Sequence, residues 1–233
     1  MGPKTLSIDV GGSGIKGMVL DAKGQPLNDR ERITTPKHAD AKAVLKVIGK
    51  LIALQPEYDR VSVGFPGVVV AGITHSAPNL DGNWHGVPLA ERVAELAGKP
   101  CRAVNDADMQ GYGAVEGHGV EMMVTLGTGL GSAIFTNGHL VPNLELGHHP
   151  FEKRKTYEQR LGDKERRKIG NKKWSQRVLR AIGIMLPIWN PRVLYLGGGN
   201  TKKLTLEMPG GVQPVDNIAG IIGGVRLWDD EEH

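Results

Sequence analysis

Apolar positions along this chain follow two periods, one suited to strands and one to helices. Thr5–Val10 reads as a buried strand and Ile15–Leu20 alternates as a second, so the glycine loop between them makes a hairpin. A third strand is expected over 30–34. From 40 to 54 the residues Ala43, Val44, Val47, Ile48, Leu51 and Ile52 recur at helical spacing, with Asp40 placed to cap them. A short strand over 61–64 ends at Phe65-Pro66-Gly67, a helix follows over 88–97, and a strand over 101–104 runs into Asn105-Asp106 and a helix over 107–116.

A second series then begins. It has a strand over 121–126, another glycine loop, a returning strand over 132–136, and the tight-turn pair Asn137-Gly138. Trp174, Val178, Ala181, Ile182, Met185 and Leu186 line one face of a long helix over 171–188. A strand over 192–196 ends in Gly197-Gly-Gly-Asn200, and a helix over 217–228 follows. Strand, glycine loop, strand, then helix and strand thus occurs twice. This predicts an α/β fold of two lobes around a central cleft, with ligands at strand ends. The small lobe is expected over 1–107, with 217–233 packing back on it, and the large lobe over 108–216. The acidic tail over 229–232 is expected to fray.

Composition narrows the class. The 233 residues are 39% hydrophobic, enough for a sizeable core, and the 33 glycines point to turns and loops rather than a helical bundle. The single Cys101 allows neither an intrachain disulfide nor a cysteine zinc site, and reads as a buried bystander. Strand-like sequence begins within a few residues of Met1, which leaves no room for a signal peptide, and no apolar run is long enough to span a membrane. A reducing cytoplasm is the expectation.

The two glycine loops carry the candidate chemistry. Asp9-Val-Gly-Gly-Ser-Gly-Ile-Lys16 and Leu126-Gly-Thr-Gly-Leu-Gly131 share a Gly-Ser/Thr-Gly-Ile/Leu core. Backbone N–H groups without a Cβ in the way can point at phosphate oxygens, and the hydroxyls add donors. Gly12-x-Gly14-x-x-Gly17 also matches the dinucleotide fingerprint, but that motif must open a helix and here a strand follows. No Gly-x-x-x-x-Gly-Lys-Ser/Thr is present, so a P-loop is excluded. Asp9, an acid at the end of a buried strand, needs a cation or donors, and Mg²⁺ is assigned to it, directly or through water. Lys16 either reaches a phosphate or is a solvated strand lysine. Asp106 could accept the proton of an attacking alcohol, or merely cap the helix behind it. Glu145 and His148, three apart around a glycine, suit sugar hydroxyls better than a metal.

Charge adds one more feature. The net charge is +4, yet between residues 152 and 173 ten Lys and Arg face only four acids. Such a run is either a solvated helical face or a track for a polyanion. Tyr157 and Trp174 are isolated, so no stacking platform for nucleic acid accompanies it, and a polyphosphate chain fits better.

These motifs, with Gly64-Phe-Pro-Gly67, Pro78-Asn-Leu80, Asn105-Asp106-Ala107, Glu145-x-Gly-His148 and Gly197-Gly-Gly199, in this order, resemble the ROK sugar kinases of the actin-like (ribonuclease H-like) ATPase superfamily. Leu144-Glu-Leu-Gly-His-His-Pro-Phe151, Thr156-Tyr-Glu-Gln-Arg-Leu-Gly162 and Lys172-Lys-Trp174 look like its polyphosphate-using glucokinase branch. The resemblance implies that Asp106 is the base for the sugar 6-hydroxyl, and that Asn105, Glu145, His148, the backbone at Gly67 and Asn79 are hexose contacts. It implies donor loops at Gly11, Gly12, Ser13, Gly14, Gly127, Thr128 and Gly129, and a loop at Gly198 and Gly199 that borders adenosine in ATP-using relatives. Arg160, Lys172 and Lys173 are donor contacts by position. The implied partners are glucose, inorganic polyphosphate or ATP or both, and Mg²⁺, in a homodimer without nucleic acid or membrane.

Two departures qualify this. Residues 154–170 lack the cysteine-rich zinc motif of most relatives, so no structural zinc is expected, and no helix-turn-helix precedes the first strand as in family repressors. The alternatives are an ATP-only kinase for mannose, fructose or an N-acetyl sugar, a non-catalytic sugar-sensing regulator, and a nucleic-acid binder using the basic run.

Overall fold

The short apolar runs become the strands of two sheets, because each run can bury its side chains on both faces only in a sheet interior. The computed structural model describes residues 2–141, 144–216 and 218–229. The chain divides into two units, Met1–Gly113 with Ile218–His233, and Ala114–Asn217.

The first unit contains β1 (Thr5–Val10), β2 (Ile15–Leu20), β3 (Glu31–Ile33), α1 (Ala41–Ile52), β4 (Arg60–Phe65), β5 (Val69–Val70), β6 (Ile73–Thr74), α2 (Leu89–Ala97), β7 (Cys101–Asn105) and α3 (Asp106–Tyr112). Its main sheet has the order β3-β2-β1-β4-β7. The β1–β2 and β2–β3 pairs are antiparallel, whereas β1–β4 and β4–β7 are parallel. Asp40 caps α1 by accepting from the Ala43 N–H at 2.8 Å. The buried stripe Val44, Leu45, Val47, Ile48 and Leu51 joins Leu6, Ile8, Val61, Val63 and Phe65 in one core.

The second unit contains β8 (Val120–Leu126), β9 (Leu130–Thr136), β10 (His139–Val141), a 3₁₀ turn (Leu146–His148), β11 (Pro150–Glu152), β12 (Lys155–Thr156), α4 (Tyr157–Leu161), α5 (Asp163–Ile169), α6 (Asn171–Trp189), β13 (Val193–Gly197) and β14 (Val212–Pro214). Its sheet order, β10-β9-β8-β13-β14, repeats the first plan, with antiparallel β8–β9 and β9–β10 and parallel β8–β13 and β13–β14. Trp174 of α6 is fully buried and its indole N–H donates to the Leu161 carbonyl at 2.8 Å.

Glu121 anchors the start of β8. It is 0% exposed and accepts from the N–H groups of Glu116, Gly117 and His118, from the Tyr195 hydroxyl and from Arg192. Burial opposes its ionisation, but the three backbone donors and Tyr195 outweigh this and hold its carboxyl below the usual range. α3 stops at Tyr112 and not at 116: the Tyr112 carbonyl accepts from Arg226 at 2.9 Å, and the amides of 116–118 point to the Glu121 carboxylate instead of up a helix.

The chain returns to the first unit as α7 (Ala219–Arg226), set against α3 and β1. A Cβ at Gly223 would collide with the Met109 carbonyl, and one at Gly224 with the Ser7 hydroxyl, so only glycine permits this approach. The Ser62 hydroxyl donates to the Gly224 carbonyl and accepts from the Trp228 indole at 2.8 Å. Arg60 and Arg102 lie over the Trp228 ring, 5.0 and 4.7 Å from its centre. Ser7, beside Ser62 in register, has a buried hydroxyl with no hydrogen-bond partner among the described residues. The acidic tail over 229–232 lies outside the described residues beyond Asp229.

Candidate functional site

The first glycine loop closes β1 onto β2 in direct register, with Asp9 opposite Lys16 and Val10 opposite Ile15. Gly17 therefore lies inside a strand, and the dinucleotide reading falls. The turn is fixed by the Gly11 N–H to the Gly14 carbonyl at 3.1 Å. Arg32 donates to the Ser13 carbonyl at 2.8 Å, and the Thr35 hydroxyl to the Gly11 carbonyl at 2.6 Å. A Cβ at Gly14 would come 2.5 Å from the Arg32 guanidinium, so glycine is what admits this brace. Lys16 Nζ lies 2.8 Å from Asp9 Oδ2. The cation that Asp9 meets is Lys16, and Lys16 is not a solvated bystander. Among the described residues no group of three or more His, Cys, Asp or Glu forms a metal cage. A hard cation fits Asp9 only in the manner usual for Mg²⁺, with one carboxylate and the remaining ligands from water and donor phosphates.

At the end of β7, Asn105 and Asp106 occupy different positions at the start of α3. Asn105 is the cap: its Oδ1 accepts from the Ala107 N–H at 2.8 Å. Asp106 is the first helical residue, so its carboxylate is not the cap. The Asn105 Nδ2 also donates to the Gly67 carbonyl at 3.0 Å, while the Gly67 N–H turns to Phe65. Gly67 thus braces Asn105, and its own packing is tight, since a Cβ there would overlap the Ser76 carbonyl. Asn79 lies in the same unit, with its carbonyl 3.8 Å from a Cβ placed on Gly12.

The second glycine loop repeats the hairpin with different supports. The Gly127 N–H donates to the Gly129 carbonyl at 3.1 Å. Asn200 Nδ2 donates to the Gly127 carbonyl at 2.9 Å, and the Asp163 N–H spans the carbonyls of Gly127 and Thr128 at 3.1 and 3.2 Å. The Gly197-Gly-Gly199 segment lies against the start of this loop: Gly198 takes φ 88°, and a Cβ on it would collide with Leu126.

Glu145 precedes the 3₁₀ turn and His148 ends it, with Oε2 and Nε2 3.4 Å apart. Ser132 holds the turn on β9, donating to the Leu144 carbonyl at 2.8 Å and accepting from the Leu146 N–H at 3.3 Å. Burial pushes the Glu145 carboxyl up, His148 opposes this, and Glu158 adds to it. Glu158 is a candidate site residue that sequence reasoning did not single out. Its carboxylate would lie 2.7 Å from a Cβ on Gly129 and 3.6 Å from one on Gly147, so it sits between the glycine loop and the Glu145–His148 turn. In sequence it is one acid in a charged run, and only the chain's return through α4 brings it there.

The basic run is sorted by its environment. Arg160 is 8% exposed and pairs with Glu152 and Glu165, which also hold Arg177, and Glu152 binds Arg180. All three Arg160 guanidinium nitrogens donate to the carboxylates of Glu152 and Glu165. Burial opposes ionisation of Glu152 and the arginines outweigh it, while Arg177 holds Glu165 low. Arg166 likewise holds the carboxyl of Asp163 low. Lys172 and Lys173, by contrast, are exposed on the first turn of α6, and among the described residues no carboxylate lies within ion-pair distance of them.

Comparison with known proteins follows this geometry. The ROK family model matches residues 5–161. The polyphosphate glucokinase of Mycobacterium tuberculosis is 37% identical, over 94% of this chain and 88% of that protein. The crystal structure of the inorganic polyphosphate/ATP-glucomannokinase from Arthrobacter sp. strain KM superposes with a TM-score of 0.88 at 29% identity, covering 98% of this chain and 100% of that one. A ROK family glucokinase from Streptomyces griseus, in complex with glucose and AMPPNP, shares the fold at 20% identity and a TM-score of 0.79, covering 96% of this chain and 98% of that one.

Proposed function

This chain belongs to the ROK family, with the actin-like ATPase fold of its sugar kinases, and we propose that it phosphorylates glucose at O6 with inorganic polyphosphate as donor. It is a phosphotransferase. The observation that supports the mechanism is the end of β7, where the Asn105 side chain caps α3 and Asp106 is the first residue of that helix. Asp106 takes the proton from the sugar 6-hydroxyl as the O6–phosphorus bond forms and the terminal phosphoanhydride bond breaks, leaving the donor one phosphate shorter. Glu145, His148 and Glu158 bind sugar hydroxyls, and the raised Glu145 carboxyl marks a site partly withdrawn from water. Amides of both glycine loops and Lys16 offset charge on the phosphates. Mg²⁺ at Asp9 supplies further neutralisation of the donor when bound.

Asp106→Asn should lower kcat by roughly a thousandfold while glucose affinity, read by calorimetry, stays within about threefold. Near wild-type turnover in that variant would sink the assignment. ATP is a second donor in the same proposal, supported by the Gly197-Gly-Gly199 segment beside the second loop and by the polyphosphate/ATP relative. A cytoplasmic homodimer completes it, with the exposed Ile184 and Ile188 on α6 offering apolar surface for self-association.

A further inference from the structure

The geometry points to α5 as a landing surface for the phosphates of a polyphosphate chain beyond the one transferred, carried by Lys164 and Lys168. The inference rests on the polyphosphate reading above.

Three observations support it. First, α5 is rooted on the second glycine loop. The Asp163 N–H holds the carbonyls of Gly127 and Thr128, and a Cβ on Gly162 would come 2.5 Å from the Thr128 carbonyl. The helix cannot shift without moving the loop.

Second, the neighbouring acids are already engaged. Glu165 is held by Arg160 and Arg177, and Asp163 by Arg166 at 2.7 Å and Arg167 at 2.6 Å. Lys164 and Lys168 are exposed, and among the described residues no carboxylate lies within ion-pair distance of either, although Lys168 adds at longer range to the charges that hold Glu165 low. At i and i+4 they share one helix face, so two cations one turn apart lead away from a phosphate loop. A linear polyanion with a charge on every repeat matches such a row.

Third, the two aromatic side chains of this segment are withdrawn. Tyr157 is 3% exposed and stacks on Phe151 at 4.5 Å, and Trp174 is 0% exposed. A row of cations without a stacking platform selects phosphate without bases over single-stranded nucleic acid.

The test is steady-state kinetics with tripolyphosphate and with long-chain polyphosphate, on wild type and on Lys164→Gln/Lys168→Gln. The readout is the ratio of the two KM values. In the double variant the long-chain KM should rise about tenfold relative to the tripolyphosphate KM, and the salt dependence of its logarithm should become shallower by about one unit. Lys164→Arg/Lys168→Arg should keep the wild-type ratio, which separates charge from misfolding. An unchanged ratio in the glutamine variant overturns the landing surface while leaving the donor reading intact. A wild type that uses ATP but no polyphosphate of any length overturns the donor reading itself. Single-stranded DNA at equal phosphate concentration should not compete, and competition that the double variant abolishes would reassign the surface to nucleic acid.

Discussion

The sheet β3-β2-β1-β4-β7 and the sheet β10-β9-β8-β13-β14 share one strand plan, yet they are secured by different means. On the first, backbone meets backbone: α7 approaches α3 and β1 through glycines. The second is pinned by carboxylates withdrawn from water, Glu121 in a nest of amides and Glu152 and Glu165 among arginines. The hairpins differ in the same way. A guanidinium braces the first glycine loop, while a carboxylate lies against the second. One strand plan is therefore secured in two ways, with cations around the first loop and an acid against the second.

The contrast can be broken at its strongest point. Glu121→Gln should cost roughly 3–5 kcal/mol in urea unfolding, because it leaves Arg192 and three amides poorly matched. Acid probes the same difference. The carboxyls of Glu121, Glu152, Glu165 and Asp163 lie below their ordinary range when folded. Their stabilisation is complete above the unfolded pKa of about 4 and is lost as pH falls through the lower folded values. Hydrogen exchange followed from pH ~5 towards ~2 should therefore open the second unit before the first sheet, and the reverse order would refute the comparison.

Smaller effects sharpen it. Gly223→Ala should cost roughly 2–3 kcal/mol through its clash with Met109, whereas Gly220→Ala, with nothing nearer than 4.0 Å, should be neutral or stabilising by thermal melting. Gly129→Ala displaces Glu158 and should raise the glucose KM about tenfold and the donor KM less, about threefold; Gly14→Ala displaces Arg32 and should raise the donor KM about threefold with the glucose KM almost unchanged. Equal effects of both on both substrates would dissolve the distinction between the loops. Ser7→Ala should change stability by less than about 1 kcal/mol, and towards greater stability, since that hydroxyl is buried without a partner.

Both hairpins, the long helix α6 and the repeated plan were legible in the sequence because each rests on local spacing: glycines between alternating runs, or Trp174, Val178, Ala181 and Ile182 on one stripe. What depends on distant residues was not. Nothing local separates Asn105 from Asp106 as the cap. The pairing of Glu152 with Arg177 and Arg180 spans more than twenty positions, so counting charges overstated the accessible basic surface and gave no sign that Arg160 is buried among acids. Two hairpins went unread because their turns lack the usual Asn-Gly signal: Ala71-Gly72 between β5 and β6, and Lys153-Arg154 between β11 and β12, where both non-glycine residues take positive φ.

The return of the chain as α7 bears on how the protein is made. Residues Met18 and Leu20 of the first sheet share a core with Ile221 and Val225, and Ser62 is covered by Gly224 and Trp228. That face stays bare while Ala114–Asn217 is being synthesised. At about 5–20 residues per second, the ribosome holds the first unit unfinished for roughly 5–20 seconds, long enough for the second unit to begin folding and for a chaperone to bind the open face.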